Sequence, residues 1–272
     1  MKSTVSLGVA SSLESLNAQF LGNHPLLIEA RAAPSLAVVF GPDVSDDFRG
    51  AVLGDQDDAQ PLWTYHVVPG FTPGLITGGL RRSKWKDVDV NARAPRLRSV
   101  RLPKLLVDSH AIIGASDLRR MGTTRPLIAL GLWAPLAAPI QRLGSLITGQ
   151  REGLTAEIGL AIVPVALVSL ANLTASGPLI GIVSADPIAA ELMALAIWQT
   201  RLPSRFDLAG PWEDHLVQRA TELGLGATQP SQLIVETTFC DGLIGDELET
   251  SRKQLAGALS LIGVDCALAA QE

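Results

Sequence analysis

Short apolar runs rich in β-branched residues alternate along this chain with longer stretches of helical periodicity. No other feature constrains the fold as strongly, because strands separated by crossover helices return to one sheet in parallel. The candidate strands are Ser35–Phe40, Thr64–Val68, Ala111–Ile113, Ala166–Ala171, Leu179–Ser184 and Leu233–Thr237. The candidate helices are Ser11–Leu21, Pro135–Ile147, Pro187–Thr200, Trp212–Leu223 and Asp246–Ile262. The expected class is α/β, a mainly parallel or mixed sheet with helices packed on it. No internal repeat or low-complexity linker interrupts residues 1–272, so a single large domain is expected.

Local punctuation supports this reading. Asp186 stands where a helix N-cap belongs, and Pro187 takes the first helical position, where its missing N–H costs nothing. Gly224 and Gly226 close the helix that begins near Trp212. Asp43–Gln60 is acidic and turn-rich and reads as a surface loop. Gly70–Arg101 is rich in Gly, Pro and Arg, and is too long for a plain connector.

Hydrophobic residues make up 47% of the chain and charged residues 18%, enough apolar material for a sizeable core. Leu127–Ile140 and Ile158–Leu173 are the greasiest runs, but both contain proline and fall short of the roughly 20 residues that span a bilayer. They read as buried elements, with no integral membrane segment expected and peripheral contact by the first run as the lesser alternative. The N-terminal stretch carries Ser, Glu and Asn throughout and lacks the apolar run of a signal peptide. Two cysteines, Cys240 and Cys266, are too few for a disulfide framework or thiolate metal site and suit a reducing, cytoplasmic setting.

The net charge of −5 argues against a nucleic-acid partner. Locally the balance reverses. Residues 81–104 hold nine Lys and Arg against Asp87 and Asp89, a net +7, so the rest of the chain carries −12. Just upstream, Gly78 and Gly79 precede Arg81 and Arg82. Glycines let backbone N–H groups approach a ligand, and guanidinium forks match carboxylates and phosphates. Gly78, Gly79, Arg81 and Arg82 are therefore candidate binders of a small anionic molecule; a solvated basic loop answering the acidic surface is the alternative. A Walker-type ending and a dinucleotide fingerprint are both absent.

For chemistry, His110 follows Asp108 by two residues at the mouth of a candidate strand. In an extended segment the two share a face, so Asp108 could orient the imidazole for proton transfer. The alternative is an ordinary surface turn. His66 reads as a strand histidine satisfied within the fold, and His215 as solvated. Cys240, before Asp241-Gly242, is either a nucleophile or a buried structural thiol. No G-x-S-x-G elbow occurs. Asp117, Arg119, Arg120 and Arg125 form a second charged cluster beyond a strand's carboxyl end, where open α/β sheets bind ligands. The scattered histidines and lone cysteines supply no metal or iron–sulfur ligand set, so no cofactor is expected.

Ser184-Ala-Asp-Pro-Ile-Ala-Ala-Glu-Leu-Met-Ala-Leu, followed by His215-Leu-Val-Gln-Arg-Ala-Thr-Glu-Leu-Gly-Leu-Gly, resembles the domain-of-unknown-function 362 family. Leu102-Pro-Lys-Leu-Leu-Val-Asp-Ser-His-Ala-Ile-Ile-Gly-Ala-Ser-Asp-Leu-Arg-Arg-Met-Gly-Thr-Thr resembles that family's central segment. The resemblance covers residues 95–240 and has clear departures. The family's basic residue falls on Arg119, its histidine falls on Met121, and its Lys-Asn pair is missing from Ala129–Trp133. The ferredoxin-like cysteines of many members are absent too. The resemblance implies an α/β fold and anion handling, without defining a reaction. Together these readings lead to a cofactor-independent enzyme of small-molecule biosynthesis, secondary metabolism included. Asp108 and His110 would move protons, while Arg81, Arg82, Arg119 and Arg120 would hold the anionic substrate. The expected chemistry is isomerisation, cyclisation or elimination; a non-catalytic anion-binding or scaffold protein is the alternative. A homo-oligomer is compatible with either.

Overall fold

The computed structural model describes residues 2–42, 44–54, 60–67, 85–90, 93–94, 97–119, 126, 128–137, 151–174, 177–202 and 210–264. Seven strands form one sheet in the order β3-β2-β6-β7-β8-β1-β9. They are β1 (Ser3–Ala10), β2 (Leu36–Phe40), β3 (Leu62–His66), β6 (Ala111–Asp117), β7 (Ala166–Asn172), β8 (Leu179–Ser184) and β9 (Leu233–Phe239). β8 runs antiparallel to both neighbours, β7 and β1, while every other pair in this sheet is parallel. This is the mixed, mainly parallel α/β sheet that the strand–helix alternation implies.

Side-chain alternation sorts the strands onto two faces. In β2, Ala37 and Val39 join one core cluster, while Leu36, Val38 and Phe40 join the other. Each such Leu, Val or Phe, fully withdrawn from water, contributes about 1.5–3 kcal/mol. The second face is covered by α1 (Leu13–Leu16) with the π-helical turn Asn17–Leu21, by α2 (Pro25–Arg31) and by α3 (Asp46–Leu53). The first face carries the ribbon of β4 (Trp85–Asp89) and β5 (Ser99–Pro103), followed by α4 (Lys104–Val107). It also carries α5 (Arg151–Gly159), α6 (Pro187–Thr200), α7 (His215–Glu222) and α8 (Asp246–Leu261). α6 is buried on all sides from Ile188 to Trp198, packed between the sheet and the outer helices α7 and α8.

Two expectations need correction, one falls mostly outside the described residues, and one strand was not expected. The segment around Asp46 is a helix: Ser45 caps it, and Phe48, Ala51 and Val52 bury one stripe at helical spacing. Part of Gly70–Arg101 is the β4–β5 ribbon, while residues 68–84 lie outside the described residues. The expected helix Pro135–Ile147 falls mostly outside them, and Ala134–Leu136 is a 3₁₀ turn. Ser3–Ala10, which no expected element covers, is a strand between β8 and β9 whose Val5, Leu7 and Val9 face the core. No described helix is long and apolar enough to cross a membrane.

Candidate functional site

At the carboxyl edge of the sheet, β2 sends the chain to one face and both its neighbours send it to the other. After β2 the chain enters α3, on the face holding Phe48 and Val52. After β3 and β6 it continues into elements of the opposite face, which hold Val100, Leu102, Trp133 and Leu136. Such divergence marks a topological switch point, the usual ligand position in open α/β sheets. Gly41 lies at this point and donates its N–H to the Ala115 carbonyl at 2.7 Å, while Val67 N–H reaches the Phe40 carbonyl at 2.8 Å.

On the β6 side, Asp117 is almost fully buried and meets the Arg119 guanidinium through both oxygens: Nε–Oδ1 is 2.9 Å and Nη2–Oδ2 is 2.6 Å. Arg119 Nη2 also donates to Ser45 Oγ at 2.7 Å, tying β6 to the cap of α3. The hydrogen bond to Asp117 raises the Arg119 pKa, so the guanidinium is charged at every working pH. On the β3 side, the His66 ring lies stacked on Phe40, centroids 5.4 Å apart and planes at 17°. Arg49, paired with Asp46 at 2.9 Å, places its guanidinium 5.8 Å from the same Phe40 ring. Burial first, then the Arg49 charge, lowers the His66 pKa, with Asp46 opposing. The ring is therefore neutral near pH 7. Its nitrogens take no hydrogen-bond partner among the described residues.

The sequence-predicted residues fare unequally. Arg119 lies at this edge, but its fork is occupied by Asp117. Gly78, Gly79, Arg81, Arg82 and Arg120 lie outside the described residues. The Asp108–His110 pairing does not form, because the backbone between them is not extended. Asp108 ends α4 in a helical conformation, with φ −86° and ψ −3°. Its carboxylate bonds Lys86 Nζ at 2.6 Å and lies 3.6 Å from Lys104 Nζ. The Lys86 hydrogen bond, with help from Lys104, holds the Asp108 carboxyl below the usual range. His110 Nδ1 instead meets Ser35 Oγ at 2.8 Å. Both residues precede β6, whereas Arg119 follows it. Seven residues of strand span about 23 Å, so these groups cannot act on one small molecule.

Cys240 is buried, and that burial pushes its thiol pKa up, as for a structural cysteine rather than a nucleophile. Among the described residues no group of three His, Cys, Asp or Glu could hold a metal ion. No family model matches the chain, and no curated protein or solved structure matches it.

Proposed function

We propose that this chain is a cofactor-independent enzyme of small-molecule biosynthesis that binds an anionic substrate at the carboxyl edge of its sheet and moves a proton there through His66. The observation that carries the reading is the setting of His66: a half-buried, neutral imidazole, held flat by Phe40, with no partner for its nitrogens among the described residues, at the carboxyl edge of the sheet. A neutral imidazole near pH 7 is a competent general base, suited to isomerisation, cyclisation or elimination. Connectivity supports the anionic substrate. Residues 68–84, with Arg81 and Arg82, follow Val67 directly, and residues 120–125, with Arg120 and Arg125, follow Arg119. The resemblance over residues 95–240 to the domain-of-unknown-function 362 family adds support for anion handling.

One observation favours a non-catalytic anion binder instead: Asp117, the buried carboxylate of this edge, is committed to Arg119 and is not available as a second proton carrier. Deuterium exchange separates the two readings. A panel of small carboxylates and phosphate esters is incubated with the protein in D₂O, and carbon-bound deuterium is followed by NMR. The enzyme reading expects exchange in at least one compound, lost in His66→Gln with binding retained. An Arg81→Ala/Arg82→Ala variant should bind that compound tenfold to a hundredfold more weakly, the loss of about 1.5–3 kcal/mol for a charge-assisted bond. Binding without exchange would favour the non-catalytic reading. Unchanged affinity in the double variant would leave those arginines as solvated surface.

A further inference from the structure

We infer that Arg201, which no sequence feature marks, supplies positive charge for anion binding at the end of β6; the inference rests on the anion reading of this edge. Among the described residues, Asp117, Arg119 and Arg201 meet where the chain leaves β6, with Asp47 close enough to act on Arg119. Asp117 and Arg119 neutralise one another through two hydrogen bonds. Arg201, just past the last turn of α6, is the third. Its Nη1 donates to the Leu118 carbonyl at 2.9 Å and its Nη2 to the Arg119 carbonyl at 3.3 Å. A guanidinium has five N–H donors, so three remain. No carboxylate lies within ion-pair distance of Arg201 among the described residues, and the side chain is only half-buried. Among the described residues, Arg119 is answered by Asp117, with Asp47 also acting on it, whereas no carboxylate answers Arg201.

An unneutralised, partly desolvated cation at the carboxyl edge of the sheet favours an anion nearby, and a guanidinium presents fork geometry to a carboxylate or phosphate. The lowered pKa of Arg201 follows from burial alone, as expected where no acid compensates the charge. The carbonyl contacts hold the group in place while leaving its charge uncancelled. Arg93 makes a similar pair of contacts, to the carbonyls of Leu223 and Gly224 at 2.9 and 2.7 Å, but at the end of α7 and not where the chain leaves β6. It serves as the internal control.

Calorimetric titration of the full chain with inorganic phosphate, and separately with citrate, tests the inference. Arg201→Gln keeps N–H donors for the two carbonyls and removes the charge; Arg201→Lys keeps the charge. Affinity should fall tenfold to a hundredfold in Arg201→Gln, largely persist in Arg201→Lys, and stay unchanged in Arg93→Gln. Phosphate should also slow phenylglyoxal labelling of Arg201 in the wild-type protein, read by mass spectrometry, without slowing labelling of Arg93. That arm needs no variant to fold. If wild type binds phosphate or citrate and Arg201→Gln binds it equally, or Arg201 gains no protection, the assignment of Arg201 is wrong while the anion site stands. If wild type binds neither ion, the anion reading of the whole edge falls, and Arg201 with it.

Discussion

Asp186 does more than cap α6, and its replacement should cost more than a cap. Its Oδ1 accepts from the N–H groups of Ile188 at 2.8 Å and Ala189 at 2.9 Å, the ordinary work of an N-cap. Its Oδ2 accepts from Ala227 N–H at 2.8 Å and from the Ser3 hydroxyl, joining α6 to the loop after α7 and to the start of β1. The fit is tight enough that a Cβ on Gly226 would overlap the carboxylate. Losing a cap alone costs about 1 kcal/mol. Each further bond to a charged acceptor adds about 1.5–3 kcal/mol, less whatever water recovers at this partly buried position. Asp186→Ala should therefore lose about 3–5 kcal/mol, on the order of 10 °C in Tm for a chain of this size. Asp186→Asn keeps one acceptor for the helix but turns an amide NH₂ towards Ala227 N–H, and should fall between. Urea unfolding at constant m-value provides the numbers. A loss near 1 kcal/mol in the Ala variant would show that the bonds to β1 and residue 227 contribute nothing. β8 runs against its neighbours, so Asp186 lies at the amino edge, away from the carboxyl edge that holds His66 and Arg119. Unchanged Tm with lost phosphate binding would refute the structural assignment outright.

Gly8→Ala should destabilise by about 1–3 kcal/mol, because a Cβ there would overlap the Phe20 ring seated on β1 by the π-helical turn. Restoration of Tm by adding Phe20→Leu would confirm the cause, and an unchanged Tm in Gly8→Ala would disprove it. Acid should weaken the fold through His24, whose Nδ1 accepts from Leu26 N–H at 3.3 Å and caps α2. Burial lowers its pKa from the ordinary 6.5, with Glu236 opposing. As pH falls below 6.5 the unfolded chain takes up the proton first, so stability drops until the folded pKa is reached, by at most about 1.4 kcal/mol per pH unit. His24→Asn keeps a capping acceptor without the titration. Its urea midpoint should therefore vary less between pH 7 and pH 5 than wild type, and equal slopes would exclude His24 as a source.

The strands and the long helices were legible because their apolar runs are local. Leu179–Ser184 and Pro187–Thr200 stand where pattern and cap place them. β1 was hidden by Ser3, Thr4, Ser6 and Gly8, although Val5, Leu7 and Val9 keep the period of two. α3 was hidden by acidic residues that suit the first turn of a helix; the signal was Ser45 with Phe48, Ala51 and Val52 behind it. Asp108 and His110 misled because the two-residue rule holds only for extended backbone, and a helical turn ends on Asp108. His66 was passed over because its environment comes from Phe40, on a neighbouring strand. Arg201 meets Leu118 across 83 residues, a contact with no local signature.

Net charge in a segment is not the same as charge available to a ligand. Of the basic residues in 81–104 that the structure describes, Arg101 is held by Asp87, Lys86 and Lys104 flank Asp108, Arg93 binds two carbonyls, and Arg98 is exposed. The ion pairs among these are solvent-exposed, and such pairs are worth about 0–1 kcal/mol each, so an incoming phosphate can displace them. Arg119 is different. Its partner Asp117 is almost fully buried, and stripping the guanidinium from it would leave an uncompensated buried carboxylate, a loss of about 3–5 kcal/mol. A charge-assisted bond to a new anion returns at most about 3 kcal/mol. Arg119 therefore stays with Asp117 when an anion arrives. On the proposed anion reading, affinity at this edge comes from cations without a buried acid, among them Arg201 and Arg49 of the described residues.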